Sequence, residues 1–268
     1  MTPRHGPVAG NGTRPLIGVV HLLPLPGGPQ ASPGLEAVLT RAAADARALL
    51  AGGADGVIVE NLGDAPFEAD EVEPFTVAAM TRAVTAVAQA APELPIGVNV
   101  LRNDAQAALA IAAATGARFI RVNVHVGAMV TDQGVIQGRA RQTLLARRRL
   151  QADVGIVADV HVKHAAPLGD MPLVTAARDA WHRGHADALV LSGAGTGLPT
   201  DPAQLDEVRA ALPDAPLWLG SGLTPDTAAR YGAADGAIVG TWLHADADLS
   251  RPLDPQRVRA MRTAWDAA

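Results

Sequence analysis

The chain has 268 residues, Lys+Arg 22 against Asp+Glu 27 for a formal net charge of −5, and no cysteine. That balance leaves no excess of cation to neutralise a phosphate backbone, which argues against a nucleic-acid partner. The missing thiols exclude disulfides, zinc ribbons, iron–sulfur clusters and a cysteine nucleophile.

Residues 1–14, rich in Gly, Asn and Pro, read as a loose arm, and residues 15–268 read as one domain. The apolar run Leu16 to Val20 is too short for a signal-peptide core, and no stretch approaches the roughly 18 apolar residues of a spanning helix, so a cytoplasmic protein without a transmembrane segment is expected. Eight short aliphatic runs read as strands: Leu16 to His21, Gly56 to Glu60, Pro95 to Val100, Arg118 to Val124, Gly155 to His161, Asp187 to Ser192, Pro216 to Gly220 and Gly236 to Gly240. Each is apolar across its width, as suits a parallel strand covered on both faces.

The segments between them have helical period. In the first, Leu35, Val38, Leu39, Ala42, Ala46, Leu49 and Leu50 fall on one face, with Ser32-Pro33 as start and Gly52 as stop. Asp201-Pro202, Thr224-Pro225 and Asp254-Pro255 give the same start signal before three later helices, the last running from Pro255 to Trp265. Eight such units in about 250 residues match a (β/α)8 barrel. A doubly wound sheet is the alternative, but it would show a Gly-rich turn after the first strand, where this chain has His21-Leu22-Leu23-Pro24.

Barrel chemistry gathers at the C-terminal strand ends. These ends carry His21; Glu60, Asn61 and Asp64; Asn99, Arg102, Asn103 and Asp104; Asn123 and His125; Asp159, His161, Lys163 and His164; and Ser192. A single polar residue of this kind is most simply a cap or a satisfied buried group, whereas their convergence on one mouth points to a site. In the fifth strand Asp159, His161 and Lys163 alternate with the apolar Ala158, Val160 and Val162, so strand parity sends all three toward the barrel interior. Twenty-one of the 22 cations are Arg, and Lys163 is the single lysine. Arg stays protonated, whereas a desolvated Lys can serve as acid, base or imine-forming amine, so Lys163 is the leading catalytic candidate, with Asp159 as partner. A plain Asp159–Lys163 ion pair is the structural alternative. His161 and Glu60 are candidates to move protons, and Asn99 and Asn123 to orient hydroxyls.

At the last two strands, Gly220-Ser221-Gly222 before Thr224-Pro225, and Gly240-Thr241, let the backbone approach an anion, and a helix N-terminus there would help to hold phosphate. Ser192-Gly193-Ala194-Gly195-Thr196-Gly197 suits a mobile loop over a ligand, and Ser192, Gly193, Asn123 and His21 complete the expected binding set. No cofactor is required. If a divalent metal binds, Glu60, Asp159 and His161 are its candidate ligands.

The stretches Ile17 to Gly27, Val59 to Phe67, Ile96 to Asp104, Phe119 to Gly134 and Ala158 to Ala165 resemble the BtpA/SgcQ family, whose founding member is a photosystem I biogenesis protein of cyanobacteria. The resemblance spans Pro15 to Thr241. It implies a barrel of the ribulose-phosphate-binding kind and a phosphorylated ligand, and it supplies no reaction. It also draws attention to the long loop Val126 to Gly138, expected to be a lid or an intersubunit contact.

The residues therefore favour an enzyme acting on a small phosphorylated sugar or nucleoside-derived metabolite by lyase, aldolase, isomerase or glycosidic-cleavage chemistry, as a homo-oligomer. A non-catalytic assembly factor or metabolite-binding protein is the second reading, and a metal-dependent hydrolase the third.

Overall fold

The computed structural model describes residues 14–193, 195 and 198–268. The expected arm is therefore represented by Arg14 alone, and Ala194, Thr196 and Gly197 of the Gly-rich loop lie outside the described residues.

The elements follow in the order β1 (Leu16–His21), α1 (Leu35–Gly52), β2 (Gly56–Glu60), α2 (Pro74–Ala90), β3 (Ile96–Asn99), α3 (Ala105–Thr115) and β4 (Phe119–Val122). The second half runs β5 (Ala128–Thr131), β6 (Gly134–Gln137), α4 (Ala140–Arg149), β7 (Gly155–Val160), β8 (Ala165–Pro167), α5 (Leu173–Arg178), β9 (Ala188–Leu191), α6 (Pro202–Ala211), β10 (Leu217–Leu219), β11 (Gly236–Val239) and α7 (Pro255–Asp266). Eight parallel strands close in the order β1-β11-β10-β9-β7-β4-β3-β2. These are the eight apolar runs of the sequence: β1 and β2 keep the expected bounds, and the other six are trimmed by one or two residues at one or both ends, because a barrel strand stops where the chain turns toward the next helix.

Parity decides which side chains enter the barrel. Ile17, Val19, Ile58, Phe119, Val157, Ala188, Val190, Trp218 and Ile238 form an interior cluster, with Phe119 packed edge-on against Trp218 at 6.1 Å. The alternate residues, among them Ile156, Ala158 and Val160, join the outer core beneath the helices. Among the described residues no helix is long and apolar enough to cross a membrane.

Three expectations change. The first helix begins at Leu35 after Gly34, and the Ser32 hydroxyl accepts from Gly34 N–H instead of capping the helix. After Thr224-Pro225 there is no α-helix, only a 3-10 turn at Ala228–Tyr231, because the Thr227 hydroxyl takes the Thr224 N–H and the buried Tyr231 ties the segment to the Thr200 carbonyl. The loop after β4 is an antiparallel hairpin, β5 with β6, extended by β8 into a three-stranded ribbon. By contrast Asp201 and Asp254 cap α6 and α7 as expected, accepting from the N–H groups of Ala203 and Gln256. Gly53 in the left-handed region closes α1, one residue beyond the expected stop.

Candidate functional site

A cavity of about 560 Å³ opens at the C-terminal ends of the strands. Register builds its floor. His21 lies beside Glu60 across β1 and β2, and Glu60 beside Asn99 across β2 and β3, so three inward polar residues stand in one row. Asn99 donates to Glu60 Oε2 at 2.5 Å, and the other carboxylate oxygen, Oε1, stands 3.9 Å from His21 Nε2. Asn99 therefore orients Glu60 and does not itself line the cavity.

The second polar group is on β4 and β7. Phe119, Arg121 and Asn123 share the inward parity, and Arg121 makes a two-pronged contact with Asp159, Nε to Oδ2 at 3.0 Å and Nη2 to Oδ1 at 2.8 Å. Asn123 donates to Asp159 Oδ2 at 2.6 Å, and its own Oδ1 is buried without a partner among the described residues. Asp159 is thus held by Arg121 and Asn123, not by the Lys163 that the sequence suggested. The inward position of Arg121 is legible in the parity of Phe119-Ile-Arg-Val-Asn123, the same alternation that runs along the fifth strand.

Lys163 lines the cavity and has no ion-pair partner within 4.0 Å among the described residues. Burial, and then the positive charge of Arg121, hold its ammonium below the usual lysine range, opposed by Glu60 and Asp159. A cation of this kind gives up a proton more readily than a solvated lysine, which is what an amine nucleophile or a proton donor at neutral pH needs. Arg102, buried at the rim, fixes the loop by donating to the Lys163 carbonyl at 2.6 Å.

His161 does not join this group. The strand ends at Val160, and His161 has φ 52°, so the period-two alternation stops one residue before it and its ring faces a small neighbouring cavity beside Met171. His125 is buried against the Gly184 carbonyl, 2.8 Å away, outside the cavity. Asn61, Asp64, Asn103 and Asp104 prove to be scaffolding: Asn61 takes Leu101 N–H, Asp64 takes Leu25 N–H, Asn103 bonds both backbone groups of Val124, and Asp104 caps α3. His164 does line the cavity, as does Asp132 at the tip of the β5–β6 hairpin.

On the opposite wall, Gly220, Ser221, Gly222, Gly240 and Thr241 all line the cavity. Ser192 and Gly193 do not. The Ser221 hydroxyl accepts from Gly193 N–H and donates to the Leu198 carbonyl, both at 3.0 Å, so it ties the loop after β9 to the loop after β10, leaving backbone as what this segment offers a ligand. The N–H groups of Ser221, Gly222 and Leu223 bond no backbone carbonyl among the described residues. The anion-binding helix N-terminus expected here is replaced by the 3-10 turn, so these loop amides are what remains for an anion.

The three candidate metal ligands are not brought together. Asp159 has both oxygens bonded to Arg121 and Asn123, Glu60 is across the barrel, and His161 faces elsewhere; among the described residues no group of three or more His, Asp and Glu side chains has metal-binding geometry.

Sequence reasoning missed His244. It is fully buried behind His21, with His21 Nδ1 and His244 Nε2 3.0 Å apart. The two histidines are 223 positions apart, and no local pattern connects them.

A model of the BtpA family matches residues 12–266. The chain is 49% identical over 247 residues to the photosystem I biogenesis protein BtpA of Synechocystis, covering 92% of this chain and 86% of that protein. Among solved structures it resembles the thiamine phosphate pyrophosphorylase of Pyrococcus furiosus, with TM-score 0.59 at 15% identity over 95% of this chain and 96% of that one. The phosphoribosyl anthranilate isomerase of Thermus thermophilus gives TM-score 0.54 at 14% identity over 94% and 98%. At these identities the likeness shows the fold alone, a closed barrel of eight parallel strands.

Proposed function

The chain belongs to the BtpA family, and from that premise we propose that it is a cytoplasmic enzyme acting on a small phosphorylated sugar or nucleoside-derived metabolite, by lyase, isomerase or glycosidic-cleavage chemistry. The observation that carries this reading is Lys163. It is the chain's single lysine, and among the described residues it has no ion-pair partner in a cavity whose opposite wall is glycine-rich backbone.

The phosphoryl group would sit on the loop amides after β10 and β11, and the rest of the ligand would extend toward Lys163 and Glu60. The phosphorylated compounds in the names of the two barrel neighbours support that orientation by analogy of fold. Lys163 then acts as amine toward a carbonyl or as proton donor, and Glu60, oriented by Asn99, moves a proton on the other side. Asp159 keeps Arg121 in place and does not touch the reacting atoms. No metal enters this scheme, and elemental analysis of the purified protein tests that part of it.

Native mass spectrometry of the purified protein, with extraction of its small molecules, tests the reading. A co-purifying phosphorylated compound is expected. For a carbonyl compound so identified, borohydride should trap a covalent adduct on Lys163 that Lys163→Arg abolishes; full turnover by Lys163→Arg would remove both roles of the amine.

A second reading, an assembly factor, has one observation in its favour. Val130 and Val135 pair across β5 and β6 on the outer face of the ribbon, 43% and 50% exposed, and Leu168 beyond β8 is 56% exposed. We assign this face to a second copy of the chain, in keeping with the expected homo-oligomer. Sedimentation equilibrium of Val130→Ser/Val135→Ser should show dissociation to monomers. A monomeric parent chain would instead turn the surface over to a different partner and favour the second reading.

A further inference from the structure

We infer that His244 is a positioning residue that fixes the ring tautomer of His21, so that His21 presents a bare Nε2 to the cavity opposite Glu60 and the two acceptors together form a subsite for a ligand hydroxyl or amine. This rests on the reading of the mouth as a ligand site, but the tautomer itself does not.

The chain of hydrogen bonds behind His21 ends on an atom that can only accept. The Arg251 carbonyl oxygen is 2.6 Å from His244 Nδ1, so the proton of a neutral His244 ring must be on Nδ1. Its Nε2 then carries a lone pair. The 3.0 Å contact from that Nε2 to His21 Nδ1 is a hydrogen bond only if His21 donates, which places the single proton of a neutral His21 on Nδ1. What is left on His21 is the unprotonated Nε2, which lines the cavity 3.9 Å from Glu60 Oε1. Two acceptors at that separation repel each other unless a donor lies between them. The other oxygen of Glu60 is already occupied by Asn99, so Oε1 is the one turned to the ligand.

Both rings are held neutral by their surroundings. Burial lowers the basicity of each; for His21 it is followed by the nearness of His244, Lys163, Arg121 and Arg41. For His244 burial outweighs the Arg251 carbonyl and the carboxylates Asp45 and Asp248, with Arg41 acting in the same direction as burial. The anchor is built from α1. Asp45, fully buried on the apolar face of that helix, accepts from Leu253 N–H and from Arg41 Nε, and Arg41 in turn donates to the Arg251 carbonyl. A bridge between His244 and Leu253 completes the frame. Gly240 permits the close packing of the His21 ring, since a β-carbon there would be 2.7 Å from Cε1.

Long-range proton–nitrogen correlation spectra of the 15N-labelled protein at neutral pH report the tautomer of each ring directly. The expected result is Nδ1 protonated and Nε2 bare on both His21 and His244. A folded parent protein with His21 protonated on Nε2, or on both nitrogens, overturns the proposal without any variant. His244→Phe removes the acceptor and should convert His21 from one tautomer to a mixture, while His244→Gln, which keeps an acceptor in reach, should restore the single form; an unchanged His21 in the Phe variant overturns the role of His244. Titration with inorganic phosphate, followed at the Gly222 and Gly240 amides, tests the mouth separately. Amides that do not move would count against the phosphate reading and leave the tautomer result standing.

Discussion

Arg121 and Lys163 are both cations at the barrel mouth, and the structure gives them opposite energetic characters. Arg121 is paired with Asp159 in two-pronged geometry with both side chains buried, so removing either partner strands a charge. Arg121→Met is therefore expected to lower stability by about 3–5 kcal/mol in urea unfolding. Lys163 has no ion pair to lose among the described residues, and its burial already disfavours the charged form. Lys163→Met should leave the unfolding free energy unchanged or raise it, the usual signature of a residue retained for chemistry and not for stability. A loss of more than about 1 kcal/mol would mean that Lys163 is a structural partner after all. The sequence made the lysine visible because a count of one among many arginines needs no geometry. It could not show which carboxylate the lysine lacks, because Arg121 and Asp159 are 38 positions apart and meet only through the pairing of β4 with β7. His161 lies apart from Lys163 for a local reason: parity is informative only while the backbone stays extended, and it leaves the extended region there, at φ 52°.

Among the elements, the strands were legible because a parallel strand buried on both faces is apolar along its whole length, and nothing else in the chain combines that with so short a run. The 3-10 turn after Thr224-Pro225 was not, since the same two letters start a helix or a turn depending on whether the Thr227 hydroxyl captures the Thr224 N–H. The ribbon was hidden because β5 and β8 pair across more than 30 residues of intervening chain, Thr131 lying opposite Ala165. Packing between strands also makes glycine indispensable at one place and replaceable at another. A β-carbon on Gly97 would lie 2.2 Å from the Phe119 ring in the barrel interior, and the ring, wedged against Trp218, has nowhere to go. Gly97→Ala should cost about 1–3 kcal/mol by overpacking. Gly232 ends the 3-10 turn at φ −58° with nothing within 4 Å of the added carbon. Gly232→Ala should instead be neutral or stabilise by about 0.4–1 kcal/mol through the unfolded chain. Urea midpoints of the two variants side by side check the contrast, and equal losses would contradict it.

The barrel as a whole excludes protons from several histidines at once. His244 and His125 are buried and His21 is largely so, and all three are held below the ordinary imidazole range, burial being the largest cause in each. In the unfolded chain they would titrate near pH ~6.5. The folded state therefore binds fewer protons than the unfolded state once the pH falls below that value, and the linkage sign is fixed: stability is fully present above about pH 6.5 and declines as the pH drops toward the folded-state values. Each excluded proton contributes a slope of about 1.4 kcal/mol per pH unit. Unfolding free energies measured in urea at stepped pH should be level above neutrality and fall between about pH 6.5 and 5. His125→Phe should remove part of that slope without touching the cavity, since His125 is bonded to the Gly184 carbonyl away from the mouth. His244→Phe should remove a further part and disturb the tautomer of His21 as well. Stability that stays flat down to about pH 5 would mean that these rings accept protons in the folded protein, and the neutral His21–His244 pair would fall with it.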